Sequence, residues 1–471
     1  MRDMAMGKRK DRQESMWIAT SELPTSPGHP FYQRLNELLN EAKFDAFVEG
    51  QCRKFYSAGV GRPSLQPGRY FRMLLLGYFE GIDSERGIAW RAADSLGIRG
   101  FLGLALNEAG PDHSTISRNR RLIDLETHRA VFTWVQERLA CEGLLKGRTV
   151  AVDGTTLEAN AAMRSIVRRD TGASYDEFLR SLAEASGIKT PSREALVRLD
   201  RRRRKKTSNE DWTSPADPDA RVTKMKDKRT HLAHKAETAV DTETGAIVAV
   251  TIQGADQGDT TTIKKTLAEA VKQVETLMVS PCAGPFVSEE GLAEVVADRG
   301  YHSDDTLLEL EDMDLRSYIS EPARPRRKWK DEQTEAQAAV YANRRRMRGA
   351  RGKRLRRQRG ERAERPFAHL CETGNMRRTH LRGHDNILKR MLIHASGLNL
   401  GLVIRDRTGA GTPRGLQGLV HALLVVLGTL SGLLEVIHRS LSQRMTSLTD
   451  LGRSFTLRRA RTASAAFATG C

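Results

Sequence analysis

Apolar residues recur at three- and four-residue intervals through FYQRLNELLNEAKFDAFVEGQCRKF, which predicts an amphipathic helix over residues 31–55. GRYFRMLLLGYFEGI and SERGIAWRAADSLGI continue the helical period, each opened by a turn or capping residue. PDHSTISRNRRLI then predicts a short helix, capped by Asp112 or Ser114, with Arg118, Arg120 and Arg121 on its exposed face. Two short helices before a capped basic helix match a helix-turn-helix, whose second helix can enter a DNA major groove. An ordinary helical bundle with a basic face has the same pattern.

At Thr149 the period shortens to two. TVAVDG reads as a strand ending at a glycine turn. Residues 160–230 look inserted: polar, helical, and carrying the run Arg201, Arg202, Arg203, Arg204, Lys205, Lys206. Strand patterns return in AHKAETAVD (233–241) and, after the turn TETG, in AIVAVTI (246–252). A helix follows (TTIKKTLAEAVKQVETLM), then the short apolar strand of GLAEVVADRGY, a further helix, and the strand-like LRSYIS. A very basic stretch runs from Arg344 to Arg365. This order predicts an all-α N-terminal domain followed by one α/β domain with a mixed sheet. The expected divisions are a flexible N-terminus (1–29), a helical DNA-binding-like domain (30–145), an α/β catalytic domain (146–405) and a C-terminal helical tail (406–471).

Charge narrows the function. Lys and Arg number 77 against 59 Asp and Glu across 471 residues, a net charge of +18. That excess argues for a polyanionic partner, nucleic acid before anionic membrane, and against an ordinary metabolic enzyme. Five scattered cysteines, odd in number and never spaced C-x-x-C, argue against a disulfide framework and a cysteine zinc site. The basic start lacks an apolar core, so no secretory signal is read and the expected location is cytoplasmic, at the nucleoid. Gly415 to Leu434 is uncharged and about long enough to span a bilayer, but its glycines, His and Gln favour a buried helix over a membrane span.

Two aspartates occupy corresponding places. Asp153 ends VAVDG and Asp298 ends VVADRG, each directly after an apolar strand, where α/β sheets open onto ligand crevices. Each alone could be a turn residue. Together they are hard oxygen ligands of the kind that hold Mg²⁺. Glu361, Glu364 and Glu372 are the candidates for a third carboxylate, with charge balance in an arginine-rich helix as the plainer role for each. His231-x-x-His234 reads as surface polar residues, Asp241 as the start of the TETG turn, and Asp259 as a cap for the TTIKK helix. Tyr301 and His302 follow the second aspartate, lining a DNA path or, for Tyr301, packing.

VDGTTLEANA, DPDAR, AVDTETGAIVAVTIQGADQGD, VVADRGYHSDDTL and ERPFAHL with MRRTHLRG occur in the order seen in bacterial insertion-sequence DDE transposases. GRPSLQPGRYFRMLLLGYFEGI and DHSTISRNRRL resemble the helical N-terminal domain of the same group, so the resemblance covers roughly residues 30–405. It implies a ribonuclease-H-like core whose carboxylates are Asp153, Asp298 and Glu364, the last opening an E-R-x-F turn. Such enzymes use two Mg²⁺ or Mn²⁺ ions to cut and join double-stranded DNA, as a homodimer on the element ends. The group often carries Arg four before the Glu and Lys seven after it, where this chain has Gly360 and Cys371. Glu361, with Arg357 four before it, is therefore a competitor, and His369, Arg377 or Arg378 could replace the lysine. Arg365 and the arginine runs would bind backbone phosphates. A catalytically inactive relic that only binds DNA is the alternative.

Overall fold

The computed structural model describes residues 28–57, 64–188, 190–203, 208–225, 227–323, 329 and 333–418. Arg204, most of the expected N-terminal segment and residues 419–434 of the uncharged stretch lie outside the described residues. The chain divides between Val403 and Ile404 into two compact units, and everything that positions the site belongs to the first.

The helical part comprises α1 (Pro30–Glu41), α2 (Phe44–Cys52), α3 (Pro67–Glu80), α4 (Glu85–Asp94), α5 (Leu96–Phe101), α6 (His113–Leu122) and α7 (Leu125–Cys141). The single helix expected over 31–55 is two. Phe31, Leu35, Leu38 and Leu39 are buried on the first, and Phe44, Val48 and Cys52 on the second. These two stripes are out of phase on one continuous helix, and Lys43 in the left-handed region (φ 53°) rotates the second into the core. Likewise SERGIAWRAADSLGI breaks at Ser95, which caps α5 by accepting from the Ile98 amide. Helix α3 is buried on nearly every side, begins with Pro67 and stops at Gly81 (φ 68°), a left-handed C-cap.

The α/β part is built on one six-stranded mixed sheet. The central strand β1 (Thr149–Glu158) leads into the insertion, which contains β2 (Val167–Arg168), α8 (Tyr175–Ala185), α9 (Arg193–Arg202) and β3 (Trp212–Thr213). Within it Leu179, Ala183 and Leu196 pack together, while Ile166 and Trp212 pack with Ala159, Ala220 and Leu232. The insertion is shorter than expected, because β4 (Arg221–Lys224) already pairs with β5 (Thr230–Asp241) in the main sheet. Next come β6 (Ile247–Gly254), α10 (Asp259–Met278), β7 (Glu294–Ala297), α11 (Asp304–Asp312) and β8 (Arg316–Ile319). β5 is antiparallel to β1 and, at its other edge, to β6 and β4, while β7 and β8 run parallel to β1. The strand order is thus β6–β5–β1–β7–β8. The basic stretch forms α12 (Thr334–Arg348), α13 (Ala350–Arg362) and α14 (Glu364–Ala368), with a π turn at His369–Thr373 before α15 (His384–Thr408).

The described residues contain one helix long and apolar enough to cross a membrane, starting at His384, and 94% of its apolar window is buried as in a core helix. Cys141 and Cys282 form a disulfide with Cα atoms 5.3 Å apart. This single bond departs from the expectation that argued against disulfides: α7 packs on α10, so residues remote in sequence meet where those helices end.

Candidate active site

Gly154 does not end β1. The strand continues through it to Glu158, still paired with β5, whereas its other neighbour β7 stops at Ala297. The β1–β7 register pairs Ala151 with Val296, so two residues further on Asp153 and Asp298 fall side by side, on strands whose spacing is ~4.8 Å. Asp153 therefore lies where the sheet opens. Its Oδ1 accepts from the Gly154 amide at 2.9 Å, and Asp298 Oδ1 accepts from Gly300 at 2.8 Å, capping the short turn Arg299–Tyr301.

Burial raises the Asp153 carboxyl above the usual aspartate range, and the charges of Asp298 and Glu364 add to the effect. The Gly154 amide and the Arg359 guanidinium oppose it without reversing it. Asp153 thus feels the charge of both other acids, and it lies closest in register to Asp298. Asp153 and Glu364 line one cleft of about 670 Å³, together with Thr155, Thr156, Phe367, Ala368 and Cys371. Phe367, Ala368 and Cys371 follow Glu364 by three, four and seven residues, one helical face turned to the cleft. Glu361 and Glu364 are both exposed, but Glu361 is not among the lining residues.

The far end of the cleft holds Glu158, Asp227, His231, Glu372 and Arg377, which sequence patterns did not single out as one group. His231 Nε2 lies 2.8 Å from Asp227 Oδ2, and Arg377 pairs with Glu372 at 3.0 Å. Arg378 is 3.9 Å from Glu158, whose backbone is bridged to the segment 377–379. His234 departs from its expected surface position. It is fully buried and bonded to the equally buried Asp217 at 3.0 Å, because β5 is covered on both faces from Leu232 onward.

The arginines divide. Arg118 and Arg121 are exposed on α6, which Asp112 caps through the Ser114 amide. Arg120 turns inward to Glu85 (2.8 Å) and Asn386 (2.7 Å), so its charge is engaged within the protein. Arg201 and Arg202 are exposed, whereas Arg203 pairs with Asp200 and lies over the Phe178 ring. Within the basic stretch Arg344 pairs with Glu321, Arg346 donates to Ser317, Arg351 to Glu294 and Arg362 to the Thr244 carbonyl. These four dock the helices and do not offer a uniform phosphate-binding surface. Arg357 and Arg365 are exposed.

Behind the site, β5 carries Lys235 and Glu237, two apart and so on one face. Both are buried. Asp259 is in the first turn of α10 after Gly258, not its cap, and its side chain reaches Lys235 instead. Tyr301 is buried, with its hydroxyl on Glu237. Asp241 does form the TETG turn, accepting from the Glu243 and Thr244 amides. The signal for the Lys235–Glu237 pair was present, two opposite charges two residues apart in a strand that is buried from Leu232 onward.

The donor set of the open strand end is carboxylate oxygen, suited to a hard divalent cation, and the burial, with the added repulsion, that raises Asp153 is what such a cation would offset. Among the described residues no three His, Cys, Asp or Glu side chains close into a complete ligand cage.

Residues 146–400, more than half the chain, match the transposase DDE domain family. The chain is an insertion-sequence DDE transposase. Residues 21–122 of the transposase match a second family, the transposase domain DUF772. No curated protein and no solved structure matches it.

Proposed function

We propose that this transposase binds the ends of its element and cuts and rejoins DNA through Asp153, Asp298 and Glu364 on a ribonuclease-H-like core. The observation that carries this reading is the register of Asp153 beside Asp298 at the open end of parallel strands, with Glu364 on the same cleft as Asp153. The strand order, with three antiparallel strands followed by two parallel ones, supports the core assignment. Asp153, Asp298 and Glu364 would hold the two Mg²⁺ or Mn²⁺ ions by their carboxylate oxygens. When bound, such ions supply the charge stabilisation that an in-line phosphodiester displacement requires.

The protein's own contribution is positioning. The rigid sheet fixes two carboxylates, and α14 brings the third across the cleft. Asp153, partly desolvated and repelled by its neighbours, favours a cation over remaining an isolated anion. Exposed Arg118 and Arg121 on α6, and Arg201 and Arg202 on α9, would neutralise backbone phosphates and give affinity without sequence readout. Arg377, Arg378, Arg357 and Arg365 would do so nearer the cleft. Double-stranded element ends and target DNA are the partners, met in the cytoplasm at the nucleoid by a homodimer.

The test is nicking of DNA that carries the element's flanking inverted repeats. Cleavage is expected with Mg²⁺ or Mn²⁺ and none with chelator. Tight DNA binding without metal-dependent cleavage would replace this reading with that of a DNA-binding relic.

A further inference from the structure

We propose that Lys235, Glu237 and Tyr301 are positioning residues that fix the spacing of Asp153 and Asp298. The inference rests on the metal-dependent reading above. Two like charges side by side push apart, and Asp298 sits on a turn of three residues rather than inside a ladder. Something must hold that turn against β1.

Two grips do so. At the end of the turn, the buried Tyr301 donates its hydroxyl to Glu237 Oε1 at 2.9 Å. Glu237 lies on β5 directly opposite Gly154, so the Tyr301 hydroxyl must pass over β1 beside Asp153 to reach it. Glycine permits the passage: a Cβ on residue 154 would lie 3.2 Å from the Tyr301 hydroxyl and 3.3 Å from Lys235 Cε. In the middle of the turn, Asp259 approaches Gly300 so closely that a Cβ there would be 2.5 Å from Asp259 Oδ2 and 3.1 Å from Asp298 Oδ1.

Lys235 ties the grips together. Its ammonium donates to Asp259 Oδ1 at 2.5 Å and to Thr262 Oγ1 at 2.8 Å. Thr262 in turn donates to Glu237 Oε1 at 2.8 Å, and Thr266 donates to Glu237 Oε2 at 2.5 Å. The network is bonded to the turn that carries Asp298 through the Tyr301 hydroxyl, and Asp259 packs against the same turn at Gly300. A buried ammonium and a buried carboxylate are costly in a sheet where apolar residues would pack as well. Their placement two residues apart, opposite Gly154 and its neighbours, puts that cost to use at the metal site.

The test compares Tyr301→Phe, which removes one hydroxyl, and Lys235→Met, which keeps the length and removes the charge, with the full wild-type chain. Mn²⁺ binding is measured by electron paramagnetic resonance beside thermal stability and metal-free DNA affinity. Both variants are expected to lose about 10- to 100-fold in Mn²⁺ affinity, the usual cost of removing a group that orients a metal ligand. DNA affinity should be unchanged. Thr262→Ser should retain wild-type Mn²⁺ binding and Thr262→Val should not. If Lys235→Met does not fold, Tyr301→Phe decides. Wild-type Mn²⁺ affinity in Tyr301→Phe, with only a lower melting temperature, would reduce the network to packing and overturn the inference. A wild-type chain whose Mn²⁺ binding is indifferent to Asp153→Ala would instead overturn the metal reading itself.

Discussion

Two acids on the central strands of one sheet are treated in opposite ways. Glu294 opens β7 and is buried, but Arg351 grips both its oxygens and Thr149 donates to it at 2.7 Å. Burial alone would raise its carboxyl, and these partners pull it below the usual glutamate range. Asp153, near the other end of the same parallel pair, has no cation in direct contact among the ion pairs of the described residues, and its carboxyl is raised. The fold neutralises the acid that holds α13 to the sheet and leaves the cleft acid under-compensated. A carboxylate that the protein declines to satisfy is a candidate for function, and the contrast with Glu294 makes that more than a statement about burial.

The largest expected effect falls on the cleft acids. Asp153→Ala and Asp298→Ala should each lower DNA cleavage on the order of 10³-fold, the scale for removing charge stabilisation specific to the transition state, with DNA binding largely intact. A variant that nicks at the wild-type rate in Mg²⁺ would remove its aspartate from the site.

Glu364→Gln should abolish metal-dependent cleavage nearly as completely, whereas Glu361→Gln should keep most of it. Both are exposed, but Glu364 lines the cleft with Phe367, Ala368 and Cys371, and Glu361 lies off it among arginines. An exposed pair of that kind is worth only about 0–1 kcal/mol. The reverse pattern in folded variants, judged by circular dichroism, would transfer the third carboxylate to Glu361.

How far the sequence anticipates this contrast depends on the range of the interactions. Alternation in TVAVDG and the apolar runs of AIVAVTI and VVADRG foretold the strands, and the runs before Asp153 and Asp298 foretold their neighbourhood, because burial on a sheet is written locally. Capping by Asp112 was likewise readable. Gly154 was misread as a turn because its reason is a hydroxyl from residue 301. The arginines of α12 and α13 looked uniformly available because Glu294, Ser317 and Glu321, which engage three of them, lie on or beside β7 and β8. The His234–Asp217 pair and the Cys141–Cys282 bond are hidden for the same reason: each joins residues that only the tertiary fold brings together.

The structural acid should respond in the opposite currency. Glu294→Gln should leave the chemistry intact and lower stability by about 1–2 kcal/mol, less than the 3–5 typical of a broken buried pair because the Arg351 side chain is 41% exposed. The sign with pH follows from its lowered folded value. Glu294 contributes stability above the unfolded glutamate range near pH 4.3, and loses it as pH falls through the folded value. The wild-type advantage over Glu294→Gln in thermal melts should therefore vanish toward low pH. An advantage independent of pH would mean that the side chain serves by shape alone.

The smallest effect is the sharpest test of the comparison, because it reverses sign. Asp153 has a raised carboxyl, so its ionised form is less favourable in the folded chain than in the unfolded one. At neutral pH and without metal, that ionised group subtracts from stability. Asp153→Asn preserves shape and removes the charge that faces Asp298 and Glu364, so it should raise stability by about 0.5–2 kcal/mol while eliminating cleavage. The gain should shrink as pH falls and wild-type Asp153 becomes protonated. It should also shrink on adding Mg²⁺ to the wild type, which stabilises the chain that binds it and not the variant. Thermal melts of both proteins, at neutral and acidic pH and with and without Mg²⁺, read all three changes. If Asp153→Asn melts below wild type in every condition, Asp153 is a structural acid like Glu294, and the contrast between the two ends of the sheet fails.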